Sequence, residues 1–225
     1  MRTVVYTGTR NLYPEMEVAC KSLLYHDAAS QVLFLIEDDA FPTPLPDKVR
    51  CVNVSGQTFF RHDGPNFGNC WTYMTMMKAA VPFIEGVSGK VLVLDVDTIV
   101  HEDLTGLWGL SGKPLYLARE KYPYAYYNSG VMLMDTDDQS LRDDLREVIR
   151  RLNEKHYGLN EQDAINEVME GRIATLPPEY NVSEWTVMPQ SGRVAIEHYA
   201  GMSYWRNEKA YKRYEKVAWE DIVRR

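Results

Sequence analysis

Asp95 and Asp97 stand directly after Val91-Leu92-Val93-Leu94, four large aliphatic residues in a row. Such a run marks a strand covered on both faces, as in the middle of a parallel sheet flanked by helices. Side chains repeat every two residues in extended backbone, so both carboxylates are expected on one face at the strand's carboxyl end. In open α/β sheets that end faces the ligand crevice. Two carboxylates held together repel, and a shared proton, an Arg or Lys, or a hard divalent cation must offset them. A cation suits a phosphorylated substrate. Two solvated turn aspartates would give the same pattern, so the rest of the chain has to supply the context.

The elements around this strand alternate. Residues 3–7 and 31–36 read as buried strands, and 49–54 as a further strand after the Pro42, Pro44 and Pro46 segment. Between the first two, Met16, Ala19, Cys20, Leu23 and Leu24 fall at helical spacing, with Pro14 in the first turn. Residues 69–84, rich in Met, Trp and Tyr, read as a largely buried helix whose one cation is Lys78. That lysine would either neutralise the aspartates or hold a phosphate. Short helical and extended segments follow at 104–110 and 114–119, and polar Asn128-Ser129-Gly130 precedes another apolar strand. Leu141, Leu145, Val148, Ile149 and Leu152 make an amphipathic helix with a solvated charged face. Asn160 reads as the cap of a next helix with Glu161, Gln162 and Asp163 in its first turn. Extended chain returns at 173–176 and 194–198, and residues 207–225 read as one basic, aromatic helix. The order predicts an α/β protein with a mixed sheet.

Composition narrows the class. The chain has 225 residues, 45% hydrophobic and 25% charged, ordinary for a soluble globular protein and enough for one large core. The net charge of −7 disfavours nucleic acid as a partner and requires local positive charge around any anionic substrate. No apolar run reaches membrane-spanning length and the start reads as a strand, so the expected compartment is the cytoplasm. Cys20, Cys51 and Cys70 are odd in number and scattered in apolar surroundings, which fits buried thiols better than a disulfide or zinc framework.

Taken together, these pieces resemble the family 8 glycosyltransferases, retaining sugar transferases that include glycogenin and bacterial lipopolysaccharide galactosyltransferases. The resemblance runs from residue 3 to about 205. It is carried in family order by the N-terminal loop with Asn11 and Tyr13, the Lys78 helix, Leu94-Asp95-Val96-Asp97-Thr98, Asn128-Ser129-Gly130-Val131, Glu161-Gln162-Asp163, Leu176-Pro177-Pro178-Glu179-Tyr180-Asn181 and His198-Tyr199-Ala200-Gly201. It implies a GT-A fold, a Rossmann-like nucleotide-binding sheet, as one domain over 1–205 followed by a 206–225 tail. It also implies a manganese or other divalent ion on Asp95, Asp97 and His198, bridging the diphosphate of a UDP-sugar donor.

The remaining roles follow from the same resemblance. Tyr13 would stack on uracil, with Thr7 and Asn11 near the base or ribose, and Val96 would line the donor site between the aspartates. Lys78 would face the diphosphate or donor sugar, Asn128 and Ser129 the sugar hydroxyls, and Gly201 would let backbone approach the diphosphate. Glu161 and Gln162 would lie at the sugar, Gln162 opposite the leaving phosphate. Two departures stand out. Thr7-Gly8-Thr9-Arg10 replaces an acidic residue near the base, and no lysine follows His198 where one is expected, leaving Arg206 or Lys209 as substitutes.

The expected activity is retaining, metal-dependent transfer of glucose or galactose from a UDP-sugar to a glycan, lipid or protein acceptor. Gln162 is a poor nucleophile, which favours same-face attack within an ion pair over a covalent intermediate. A non-catalytic UDP-sugar-binding module is the alternative. A haloacid-dehalogenase-type phosphatase also places Asp-x-Asp after a buried strand, but needs one residue between the second Asp and the Thr, whereas Thr98 follows Asp97 directly. Residues 207–225 interleave Lys209, Lys212, Arg213 and Lys216 with Tyr211, Tyr214 and Trp219. That pattern allows weak peripheral membrane contact, though packing of the aromatics on the domain is preferred.

Overall fold

Alternation along the strands sends side chains into two separate layers. In the computed structural model, which describes residues 1–68, 72–123, 125–201 and 205–223, strand β1 (Thr3–Thr7) puts Val4 and Tyr6 into one layer and Val5 into the other. Strands β2 (Gln31–Ile36) and β4 (Lys90–Leu94) divide the same way: Phe34, Leu92 and Leu94 on the first face, Leu33, Val91 and Val93 on the second. Each such aliphatic side chain contributes about 1.5–3 kcal/mol on burial, which is why residues 32–36 and 91–94 carry no polar side chain. The first layer is closed by helix α1 (Tyr13–Tyr25), with Pro14 in its first turn. The second is closed by α2 (Tyr73–Ala80), α4 (Gln139–Glu154) and α5 (Glu161–Val168). The Asp138 side chain accepts from the Leu141 N–H at 2.9 Å and starts α4.

The main sheet has seven strands. With β3 (Val49–Asn53), β6 (Leu115–Arg119), β7 (Tyr127–Asp135) and β8 (Ala174–Thr175), its order is β3-β2-β1-β4-β7-β6-β8. Pairing is parallel from β3 through β4 and between β6 and β8, and antiparallel on both sides of β7. The chain first winds outward from β1 to β3, then returns to place β4 on the other side of β1. Strand order therefore reverses between β1 and β4, where a crevice opens beyond their carboxyl ends. A two-stranded ribbon, β5 (Thr98–Val100) antiparallel to β9 (Ile196–His198), lies past that edge, and a short helix α3 (Thr105–Trp108) follows β5.

Two elements differ from the sequence reading. The 69–84 helix is α-helical over Tyr73–Ala80 only and continues as a 3-10 turn over Val81–Phe83, because Pro82 has no N–H to give. The tail is two helices, α6 (Lys209–Glu215) and α7 (Trp219–Val223). The break lets Tyr211 and Tyr214 pack with Val18, Ile99, Tyr199 and Trp205, while Ile222 joins the core beneath α1; one straight helix could not reach both. Cys20 is buried and Cys51 half-buried. Cys70, the start of the 69–84 helix, the Met202-Ser203-Tyr204 run and Arg224-Arg225 lie outside the described residues.

Candidate active site

Asp95 follows β4 directly, its N–H donating to the Gly130 carbonyl at 2.9 Å, but the chain turns at once after it. The Thr98 N–H and hydroxyl donate to the Asp95 carbonyl at 3.3 and 2.7 Å, closing a tight turn. This corrects the expectation of two carboxylates on one face of a strand: the turn gathers them and reverses the chain into β5. There Thr98 pairs with His198, and the Tyr199 N–H donates to the Asp97 carbonyl at 3.0 Å. The ribbon thus delivers a distant imidazole to the acids. His198 Nε2 lies 3.3 Å from Asp97 Oδ1 and 3.8 Å from Asp95 Oδ2, and one ligand atom from each residue falls within 4.8 Å of the others.

This donor set fits a divalent ion. Neighbouring ligands of a six-coordinate ion with bonds near 2.1 Å sit about 3 Å apart, comparable to the spacing here, and imidazole beside carboxylates suits a transition metal. The other ring nitrogen, Nδ1, is 3.0 Å from Asn181 Oδ1, a buried partner of the kind that orients metal-bound histidines. Burial works against both charges, but His198 holds the Asp97 carboxyl below its usual range and Asp97 holds the imidazole above its own.

Behind the acids lies Lys78, 2% exposed, with Nζ 2.8 Å from Asp95 Oδ1 and 2.7 Å from Glu161 Oε1. Burial would push its pKa down, but Asp95 and Glu161 outweigh burial and raise it. Burial pushes the Glu161 carboxyl up, with the Asp95 charge adding to it, and Lys78 offsets only part of that rise. Ser129 Oγ donates to Glu161 at 2.9 Å, and the Ser129 N–H donates to Gln162 Oε1 at 3.0 Å. Glu161 and Gln162 therefore face inward onto Lys78 and Ser129, where helix-end side chains would face solvent. Asn160 occupies the cap position, but its side chain makes no capping bond and donates to Thr75 Oγ1 at 3.2 Å.

Glu120 escaped the sequence reading, and Gly130 and Asn181 stood there inside motifs without a role. Gln162 Nε2 and Asn128 Nδ2 both donate to Glu120 Oε1, at 3.1 and 3.0 Å, and burial raises the Glu120 pKa despite those bonds. Its signal was available: like Asp95, it is an acid directly after a buried strand ending at the same sheet edge. Gly130 carries the His198 ring so closely that a Cβ there would lie 2.0 Å from Cε1. Asn181 closes the Leu176–Asn181 motif, but nothing local assigns it a partner.

The end expected to take the nucleotide is arranged differently. Thr7 ends β1, and Asn11 accepts from the Thr9 hydroxyl. The Tyr13 ring is 2% exposed and covered by Phe41 at 4.9 Å, so no open face is offered to a base in this conformation. Its hydroxyl donates to Asp38 Oδ2 at 2.8 Å; burial first, then Asp38, pushes its pKa up to about 12. Arg10 and Asp38 form an ion pair that lowers the Asp38 pKa. Helix α2 joins the two ends, since Tyr73 donates to Glu37 at 3.0 Å from the helix that carries Lys78. Val96 sits half-buried between the aspartates, packed against the core. Gly201 has φ +73°, a conformation suited to glycine. Arg206 is engaged by Glu15, and Lys209 is exposed on α6. Neither takes the place of the absent phosphate lysine in this conformation.

The model of the family described as Glycosyl transferase family 8 matches residues 3–209. The chain belongs to glycosyl transferase family 8. Among family 8 relatives and solved neighbours, glycosyltransferase GlyE of Streptococcus pneumoniae is 26% identical over 196 residues, spanning 80% of this chain and 47% of GlyE. Its crystal structure superposes with TM-score 0.76 at 20% identity, over 99% of this chain and 62% of that one. The galactosyltransferase LgtC, solved with donor and acceptor sugar analogs, gives 0.67 at 19% identity, over 97% and 98% of the two chains. The seven-stranded, mostly parallel sheet matches these GT-A structures, and the phosphatase alternative falls with the family 8 match. The chain spans about half the length of its curated relative.

Proposed function

We propose that this chain is a retaining, divalent-metal-dependent glycosyltransferase moving glucose or galactose from a UDP-sugar to an acceptor hydroxyl on a glycan, lipid or protein. The observation that carries the reading is the convergence of Asp95, Asp97 and His198 at the β1/β4 switch point, with buried Lys78 behind them. Asp95, Asp97 and His198 would hold Mn²⁺ or another divalent ion, which supplies positive charge to diphosphate oxygens when bound. Lys78 donates to Asp95 Oδ1 at 2.8 Å and holds that carboxylate in place. Preorganised charge of this kind is usually the largest contribution to catalysis.

The sugar would lie against Ser129, Asn128, Glu161 and Gln162. Gln162 is neutral and fixed at both ends of its amide, by the Ser129 N–H and by Glu120. With no carboxylate at that position, the acceptor oxygen bonds to the anomeric carbon on the face the diphosphate leaves, and the acceptor proton passes to the departing diphosphate. A sugar covalently trapped on Glu120 would overturn this route. Among the described residues no helix is long and apolar enough to cross a membrane. The cytoplasm remains the proposed compartment, and vesicle binding lost on deleting residues 207–225 would place the tail at a membrane.

The test is a panel of nucleotide sugars with Mn²⁺, scored by UDP release and by intact mass. Calorimetry with UDP and Mn²⁺ alongside separates an enzyme from a binding module, since a module binds without turnover. Asp97→Ala is expected to abolish metal-dependent UDP binding; undiminished binding removes the metal assignment.

A further inference from the structure

We propose that Asn181 is a positioning residue, which fixes the nitrogen that His198 presents to the two aspartates through a chain of amide hydrogen bonds anchored on the Gly130 backbone. The inference rests on Asp95, Asp97 and His198 being ligands of a divalent ion.

The orientation of every group in the chain follows from the first. A backbone N–H can only donate, so the Asn128 atom 2.9 Å from the Gly130 N–H is the amide oxygen, Oδ1. Asn128 Nδ2 consequently points the other way, and it meets the Glu120 carboxylate at 3.0 Å. The Asn181 atom lying 2.9 Å from Asn128 Oδ1 must then be the donor Nδ2. This leaves Asn181 Oδ1 facing His198 Nδ1 at 3.0 Å, and an oxygen acceptor there requires that Nδ1 carry the hydrogen. In the neutral ring the lone pair is then on Nε2, the atom turned to Asp95 and Asp97.

The amides in this chain are held out of water. Asn181 is 0% exposed and Asn128 5%, so solvent does not substitute for a missing partner. The Asn181 carbonyl accepts from Thr186 Oγ1 at 2.6 Å, which pins its backbone. Glu120, at the sugar end, and His198, at the ion end, are therefore the two termini of one hydrogen-bonded line.

The experiment uses the full chain with ¹⁵N-labelled histidine, metal-free, at a pH above the ring's titration, where two-bond ¹H–¹⁵N spectra report the tautomer. The wild type is expected to show His198 protonated on Nδ1. Asn181→Leu is expected to lose that signature and to bind Mn²⁺ about 10–100-fold more weakly, read from free Mn²⁺ by electron paramagnetic resonance. A wild-type ring protonated on Nε2 overturns the inference without recourse to any variant. So does a folded Asn181→Leu with unchanged tautomer and affinity. If the wild type fails to bind Mn²⁺, the metal reading of the site falls, and the tautomer alone decides on Asn181.

Discussion

At the β4 and β9 end of the crevice Lys78, Glu161 and His198 are buried among polar partners, while at the β1 and β2 end the Arg10–Asp38 pair lies at the surface. Lys78 is 2% exposed between Asp95 and Glu161, and His198 is 3% exposed, locked by Asn181. Arg10, by contrast, is 77% exposed where it pairs with Asp38, and such pairs hold geometry weakly. Low local dielectric strengthens the buried interactions and penalises any that are unmade. The buried charges are thus assembled in advance, whereas the Arg10–Asp38 pair is a contact that rearranges at small cost.

The largest effect is expected where burial is deepest. Lys78→Met leaves two facing carboxylates without their cation and is expected to destabilise the fold by about 3–5 kcal/mol in urea denaturation. Adding Glu161→Gln should restore part of that loss. Strictly additive single and double variants would break the claim that the three groups act as one unit. Gly130→Ala drives a methyl into the His198 ring and is expected to cost about 1–3 kcal/mol, with Mn²⁺ affinity lowered on the order of 100-fold. Unchanged Mn²⁺ affinity in a folded Gly130→Ala protein would show that the ring has another seat. The smallest effect belongs to the solvated end: Tyr13→Phe removes the bond to Asp38, with a stability change below about 1 kcal/mol. Its UDP affinity should change only a few-fold, and a larger change would make this end as preformed as the other.

What could be read in advance follows the same division. Strands β1, β2 and β4 were legible because uninterrupted aliphatic runs have few other uses, and α1 because its apolar spacing agrees with Pro14 in its first turn. Asp95, Asp97, Lys78 and His198 were legible as residue types in an ordered series. The turn that gathers the aspartates was not, since it depends on Thr98 bonding back to the Asp95 carbonyl and on pairing with β9. Gly130 and Asn181 were quoted inside motifs, but their contacts with the His198 ring come from the folded chain, and no local pattern marks them. The tail gave its aromatics but not its break, because the break is dictated by two separate patches beneath α1.

The ribbon of β5 and β9 sets the moment at which this chain gains its chemistry. Its acids are in place by residue 97, yet the imidazole is contributed only at residue 198. A nascent chain emerging from the ribosome therefore completes its sheet through β8 while still lacking an ion ligand. Premature termination between β8 and that histidine would leave the main sheet complete and the Asp95, Asp97 and His198 set incomplete.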